Sequence, residues 1–122
     1  MIDKTLLAIA KADLKTAKVL VNSNDKYQKH QAAYFVQQSV EKTLKYAISL
    51  VSGGQPWGHD ISKLILIAQG YNVYVPQKIC EKASVYTSWE VVSRYYPTVT
   101  IRRDSIARAI RVVDQWHKTL SK

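Results

Sequence analysis

The chain has 122 residues, 47% of them hydrophobic and 22% charged, which predicts one folded domain over residues 1–122 and excludes a disordered chain. Eighteen lysines and arginines against nine acidic residues give a formal net charge of +9, which favours polyanions or an acidic protein as partners. One cysteine excludes an internal disulfide, and the sequence shows neither a signal peptide nor an apolar run long enough for a membrane helix. We therefore expect a cytoplasmic protein that does not enter a membrane.

The first half of the chain predicts two helices joined by a polar turn. The first helix is expected over Ile2–Val21, with Asp3 as its N-cap. A turn at Asn22–Lys26 follows, and the second helix runs from about Gln28 to Ser52. Four lysines share one side of the first helix, where they either meet phosphates or form a solvated edge: Lys4, Lys11, Lys15 and Lys18.

The second helix presents two faces with different chemistry. At about 100° per residue, one apolar stripe is predicted to face the core: Ala33, Val36, Val40, Leu44, Ala47 and Val51. A polar stripe lies beside it: Gln38, Glu41, Lys42 and Lys45. Glu41 precedes Lys45 by four residues, which is the favourable order for an ion pair along a helix. The polar stripe is therefore either a solvated face or the lining of an interface or ligand groove.

The second half of the chain predicts three more helices. Asp60 is expected to cap a short third helix that ends at Gly70, a fourth helix runs over Pro76–Val92, and Asp104 caps the last one. The β-branched segment Thr98–Arg103 has no second strand to pair with. The predicted fold is all-α, an antiparallel up-and-down helical bundle of four long helices plus one short helix.

Aromatic and basic side chains concentrate near the end of the fourth predicted helix. Such a mixture can stack bases and bind phosphates, or it can be core and interface packing with a basic rim. The residues are Tyr86, Trp89, Tyr95 and Tyr96, with Arg94, Arg102 and Arg103. His59, just before the third helix, either packs in a loop or contacts a phosphate or carboxylate.

Several short motifs, taken in order, suggest a family. They are Ala12-Asp13-Leu14, Ala32-Ala33-Tyr34-Phe35, Gln37-Gln38-x-x-Glu41-Lys42-x-Leu44-Lys45, His59-Asp60-Ile61 and Ser93-Arg94-Tyr95-x-Pro97. In this order the chain resembles the HEPN domains, small helical bundles of prokaryotes that also occur within larger eukaryotic proteins. The resemblance implies frequent homodimers, association with nucleotides or RNA, and work beside a small nucleotidyltransferase.

The first functional hypothesis is a non-catalytic HEPN module that binds nucleotide or RNA phosphates and uses no cofactor or metal. Its candidate contacts are Lys42, Lys45, His59, Arg94, Arg102 and Arg103. His30, His59 and His117 have no metal-ligand spacing among themselves.

The alternative is a metal-independent endoribonuclease of the kind found in toxin–antitoxin pairs. That branch of the family uses an arginine followed closely by a histidine, and Arg111 and His117 fit with five residues between them. Val112 stands where a polar residue is usual, and the two side chains fall about 120° apart on an ideal helix. His117 also belongs to the apolar stripe of the last helix, which favours packing instead.

Overall fold

The computed structural model describes residues 4–96 and 98–121, and every regular element within these ranges is helical. The all-α prediction is therefore confirmed. None of these helices is long and apolar enough to cross a membrane. The helices are α1 (Lys4–Leu20), α2 (Lys26–Ser52), α3 (Ile61–Gly70), α4 (Gln77–Glu81), α5 (Ala83–Tyr95) and α6 (Arg103–Leu120).

Aspartate caps explain where two of the helices begin. The Asp25 carboxylate accepts hydrogen bonds from the backbone N–H groups of Tyr27 and Gln28, so α2 starts earlier than predicted. Asp60 caps α3 in the same way, which confirms that prediction. The predicted cap Asp3 lies outside the described residues.

Two other boundary predictions are wrong. The expected fourth helix over Pro76–Val92 is two helices, because Lys82 leaves helical geometry with φ −108° and ψ 12°. The N-cap position of the last helix is occupied by Arg102, which is extended and makes no capping side-chain hydrogen bond, and not by Asp104. Asp104 lies in the first turn, where its carboxylate instead pairs with Arg102 and Arg108.

Helix α2 lies at the centre of the fold and packs against α1, α3, α5 and α6. Five of the six residues predicted for its apolar stripe are buried: Ala33, Val36, Val40, Leu44 and Ala47. Val51 is 56% exposed, so its prediction is wrong. Leu50 and Ser52 are exposed as well, because the last turn of α2 extends beyond the packed core.

Helices α1 and α6 run in opposite directions along a shared seam. Arg103 at the start of α6 donates to the carbonyl oxygen of Val21 just after α1, at 2.8 Å. Further along, Lys18 pairs with Asp114, and Lys11 reaches Ser121 beyond the end of α6. The complete up-and-down order of four long helices stays a prediction.

Candidate functional site

The polar stripe of α2 is a buried hydrogen-bond network centred on Glu41. Gln38 donates to Gln37, which donates to Glu41 Oε1 at 3.3 Å. His59 Nδ1 lies 3.1 Å from the same oxygen, and Lys45 Nζ lies 3.7 Å from Glu41 Oε2. The buried carboxylate thus anchors the loop before α3 on α2. The charge of Lys45 is already paired within the chain.

Lys42 is directed toward a different helix. Its Nζ lies 2.6 Å from Asp13 Oδ2 on α1, and both side chains are mostly buried. Ser39 adds a second link, because its hydroxyl donates to the carbonyl oxygen of Ala10 at 2.7 Å. Lys42 therefore joins α1 to α2.

The three predicted arginines lie where α5 passes into α6. Arg94 donates to the Tyr34 hydroxyl at 2.9 Å, and its guanidinium stands 4.9 Å from the centre of that ring. Arg102 Nε lies 3.3 Å from Asp104, and Arg103 binds the carbonyl oxygens of Val21 and Ser23.

The six predicted phosphate contacts thus do not converge on one site. One group surrounds Glu41 or joins α1 to α2, and the other holds the α5–α6 connection. The aromatic cluster divides as well: Tyr86 and Trp89 are buried, while Tyr95 and Tyr96 are exposed.

Arg111 and His117 lie on different sides of α6. His117 is buried, and its Nε2 lies 2.8 Å from the hydroxyl of Thr43, which itself donates to the carbonyl oxygen of Ser39. The hydroxyl therefore accepts a hydrogen bond from His117 Nε2–H. Burial lowers the pKa of His117 to about 4, and the charges of Lys11 and Lys18 act in the same direction. His117 is consequently neutral near pH 7.

A wide groove opens between α4 and α5 on one side and α6 on the other, with a volume of about 740 Å³. We call it the aromatic groove. Aromatic side chains line it together with four cations and the carboxylate of Glu81: Tyr74, Tyr86, Trp89, Trp116, Lys78, Lys82, Arg108 and Arg111. Arg108 pairs with Asp104, whereas Lys78, Lys82 and Arg111 have no ion-pair partner among the described residues.

Lys78, Lys82 and Arg108 were not among the residues predicted for a site. A signal for them exists, because Lys78 and Lys82 are four residues apart and Arg108 and Arg111 three, so each pair would share one face of a predicted helix. What the sequence did not show is that the two faces oppose each other.

A smaller groove of about 280 Å³ follows the seam between α1 and α6. We call it the lysine groove. Its lining is Lys11, Leu14, Lys15, Lys18, Asp114, His117, Lys118 and Ser121. His117 thus belongs to this groove and Arg111 to the aromatic one. Within residues 4–96 and 98–121, no three His, Cys, Asp or Glu side chains are placed to hold a metal ion.

Comparison with known proteins identifies the family. The family model of the HEPN domain matches residues 4–121, nearly the whole chain. The protein belongs to the HEPN family. Its structure is similar to the crystal structure of TT1696 from Thermus thermophilus, with a TM-score of 0.73 and 23% identity over 94% of this chain and 92% of that one. At this identity the likeness concerns the HEPN fold. No curated protein matches the chain.

Proposed function

We propose that this HEPN protein is a non-catalytic module that binds nucleotide or RNA phosphates, and that the aromatic groove is its binding site. The observation that carries the proposal is the pairing of aromatic side chains with available cations in one groove. Four cations and one carboxylate line it, so its field favours an anionic ligand. Its volume of about 740 Å³ lies within the usual range for small-molecule sites.

The lining of the groove offers contacts for both parts of a nucleotide, because each side carries a cation and an aromatic ring. Lys82 and Arg111 have no ion-pair partner among the described residues, so phosphate oxygens would not displace an internal acid. Tyr74 is exposed and available for contact with a base. Trp116 lines the groove, and its buried indole N–H has no acceptor within the described part of the chain.

The cations selected from the sequence remain in the proposal as secondary contacts. Use of Lys42 or Lys45 for phosphate would require opening an ion pair with Asp13 or Glu41. Arg94 and Arg102 are more exposed and lie at the α5–α6 connection, where a longer RNA could reach them.

The proposal includes assembly and a partner protein. We expect a homodimer in the cytoplasm that works with a small nucleotidyltransferase, as the family membership suggests. Exposed apolar side chains support an interface, among them Leu66, Val85 and Val91. Sedimentation at two protein concentrations tests the dimer. A monomer at the higher concentration would contradict it.

The endoribonuclease alternative has weaker support from the geometry. A histidine that moves protons must reach the substrate, yet His117 is buried against Thr43 and does not share a groove with Arg111. A mixed RNA substrate incubated with the protein and EDTA tests this alternative. Cleavage that disappears in Arg111→Ala, with folding verified by circular dichroism, would contradict the non-catalytic proposal.

Binding of ATP, GTP and a short RNA, measured by calorimetry at two salt concentrations, tests the proposed site. We expect affinity to be highest at low salt, and Lys82→Gln/Arg111→Gln to weaken it about tenfold because two phosphate contacts are lost. The matched control is Lys4→Gln/Lys63→Gln, which removes two exposed charges outside both grooves. Equal loss in both double variants, or no binding by the unmodified protein at low salt, would refute the assignment.

A further inference from the structure

The lysine groove is a second basic surface that the proposed function does not use. Lys11, Lys15 and Lys18 reach it from α1, and Lys118 reaches it from α6. The three lysines of α1 form a row along one side of the seam, and Lys118 faces it from α6. Asp114 is the one carboxylate among the described lining residues, so the side chains of the lining carry a surplus of three positive charges.

Three of the four lysines are held in place by neighbours. The Asp114 carboxylate on α6 contacts a lysine of each helix, with Oδ1 at 3.1 Å from Lys18 Nζ of α1 and Oδ2 at 3.5 Å from Lys118 Nζ of α6. Lys11 donates to the hydroxyl of Ser121 at 2.5 Å. Lys15 is exposed and has no partner among the described residues. Because these side chains are already ordered, ligand binding has a smaller entropy cost for fixing them.

The surroundings of His117 report the positive field of this groove. Burial is the main reason for its lowered pKa, and the charges of Lys11 and Lys18 lower it further against the opposing charge of Asp114. The C-terminal end of α6 adds a partial negative charge nearby. Lys11 and Lys18 together therefore outweigh Asp114 and add to the effect of burial, which keeps the imidazole neutral.

We propose that the lysine groove is a separate binding site for the phosphoryl groups of a polyphosphate chain, recognised without a base. Its volume of about 280 Å³ suits a few phosphoryl groups, and the described lining contains no Phe, Tyr or Trp on which a base could stack. Lysine acts as a point charge and does not demand a fixed orientation of the phosphate. The site does not depend on ligand binding in the aromatic groove.

Nuclear magnetic resonance of protein with labelled histidines tests the site directly. The probe is inorganic tripolyphosphate at low salt. We expect it to shift the imidazole resonances of His117 and to raise the pKa of His117 above about 4, because the anion offsets the lysine charges. His30 is buried in α2, lines neither groove, and serves as the internal reference.

Two double variants separate this site from general charge effects. We expect Lys15→Gln/Lys118→Gln to weaken tripolyphosphate binding about fivefold, and Lys4→Gln/Lys63→Gln to leave it nearly unchanged. Lys82→Gln/Arg111→Gln should also leave the His117 response intact, which distinguishes this inference from the proposed function. No His117 response at low salt, or the same response in Lys15→Gln/Lys118→Gln, would overturn the inference.

A parallel titration with short RNA that lacks a terminal triphosphate identifies the source of the phosphoryl groups. A His117 response to both probes, with competition between them, assigns the groove to phosphate chains that include the RNA backbone. A response to tripolyphosphate alone assigns it to free polyphosphate or a nucleotide's phosphate chain. Both outcomes support phosphate recognition in the lysine groove.

Discussion

The two grooves beside α6 are both basic, yet their chemistry differs. The aromatic groove combines Tyr74 and Trp116 with cations that include Arg111. The lysine groove is lined by four lysines together with Asp114 and His117. The same helix borders both. The comparison shows that the neighbouring elements determine the kind of ligand each face can take: α5 and the segment before α4 supply aromatic rings, and α1 supplies lysines.

The grooves also differ in how their cations are held. Asp114 ties Lys18 and Lys118 together, so the lysine groove is partly neutralised and ordered. Lys82 and Arg111 in the aromatic groove have no such acid among the described residues. We expect ligand binding in the aromatic groove to depend mainly on individual contacts. Binding in the lysine groove should depend mainly on its net charge.

Of the variants compared, removal of Trp116 should have the largest effect on stability. Trp116 lines the aromatic groove and is 2% exposed, so Trp116→Ala creates a cavity and should reduce the free energy of unfolding by about 3–5 kcal/mol. Urea denaturation measures this change. Val19→Ala, at a residue 77% exposed, is the control and should cost less than about 0.5 kcal/mol. Similar losses in both variants would show that Trp116 is not part of the core.

The pH dependence of stability should show that His117, on the other side of α6, is buried in its neutral form. Its pKa falls from 6.5 to about 4 on folding, so protonation favours the unfolded chain. The associated stability is fully present above pH 6.5 and decreases as the pH falls toward 4, by up to about 3 kcal/mol.

Comparison with His117→Gln isolates this contribution, because glutamine does not titrate. His30, whose pKa is also lowered by burial, and the carboxylates titrate in both proteins. Unfolding by urea at several pH values should give a weaker acid dependence for the variant. Identical pH profiles would contradict a neutral, buried His117.

A pair of threonine variants compares hydrogen bonding on the two sides of α6. Thr43→Val removes the hydroxyl that accepts from His117, and should cost about 1–3 kcal/mol because a buried N–H is left without a partner. Thr119 lines the aromatic groove and is exposed, so Thr119→Val should change stability by less than about 0.5 kcal/mol. Thermal unfolding measures both. A larger loss for Thr119→Val would reverse the comparison.

Neutralisation of Asp114 should have the smallest effect on stability. Its main consequence should be a more positive lysine groove. Hydrogen bonding from Lys18 lowers the pKa of Asp114, so the carboxylate is ionised near pH 7. Asp114→Asn should cost about 0.5 kcal/mol, because its ion pairs are partly exposed. The same variant should strengthen tripolyphosphate binding in the lysine groove, because it removes a negative charge from the lining. Weaker tripolyphosphate binding would show that Asp114 matters more for ordering the lysines than for charge.

Much of the fold was predictable from local patterns. The apolar stripe of α2 predicted its buried face through Ala47, and Asp60 was predicted as a cap because its carboxylate bonds to the next backbone N–H groups. The break at Lys82 was not predictable in this way. Ile79, Ala83 and Tyr86 keep helical spacing across it, while the backbone turns to bury all three.

The candidate site was harder to predict, because charge alone does not show whether a cation is free. Lys42 and Lys45 were selected for the polar stripe, yet Asp13 and Glu41 already pair with them. The partner of Lys42 is far away in sequence. The structure leaves Lys82 and Arg111 unpaired among the described residues. Lys82 lies between α4 and α5 and Arg111 on α6, and only packing brings them to one groove.

The sequence by itself determined the helical class, the HEPN family and the basic character of the protein, because periodicity, motif order and net charge are properties of the chain. Only the tertiary structure determined which charges are available. In that structure Glu41 is buried against His59, and Lys42 pairs with Asp13 of α1. Arg111 and His117 line different grooves. The physical reason is that an ion pair or a groove needs atoms from different helices within a few ångströms, and only packing sets those distances.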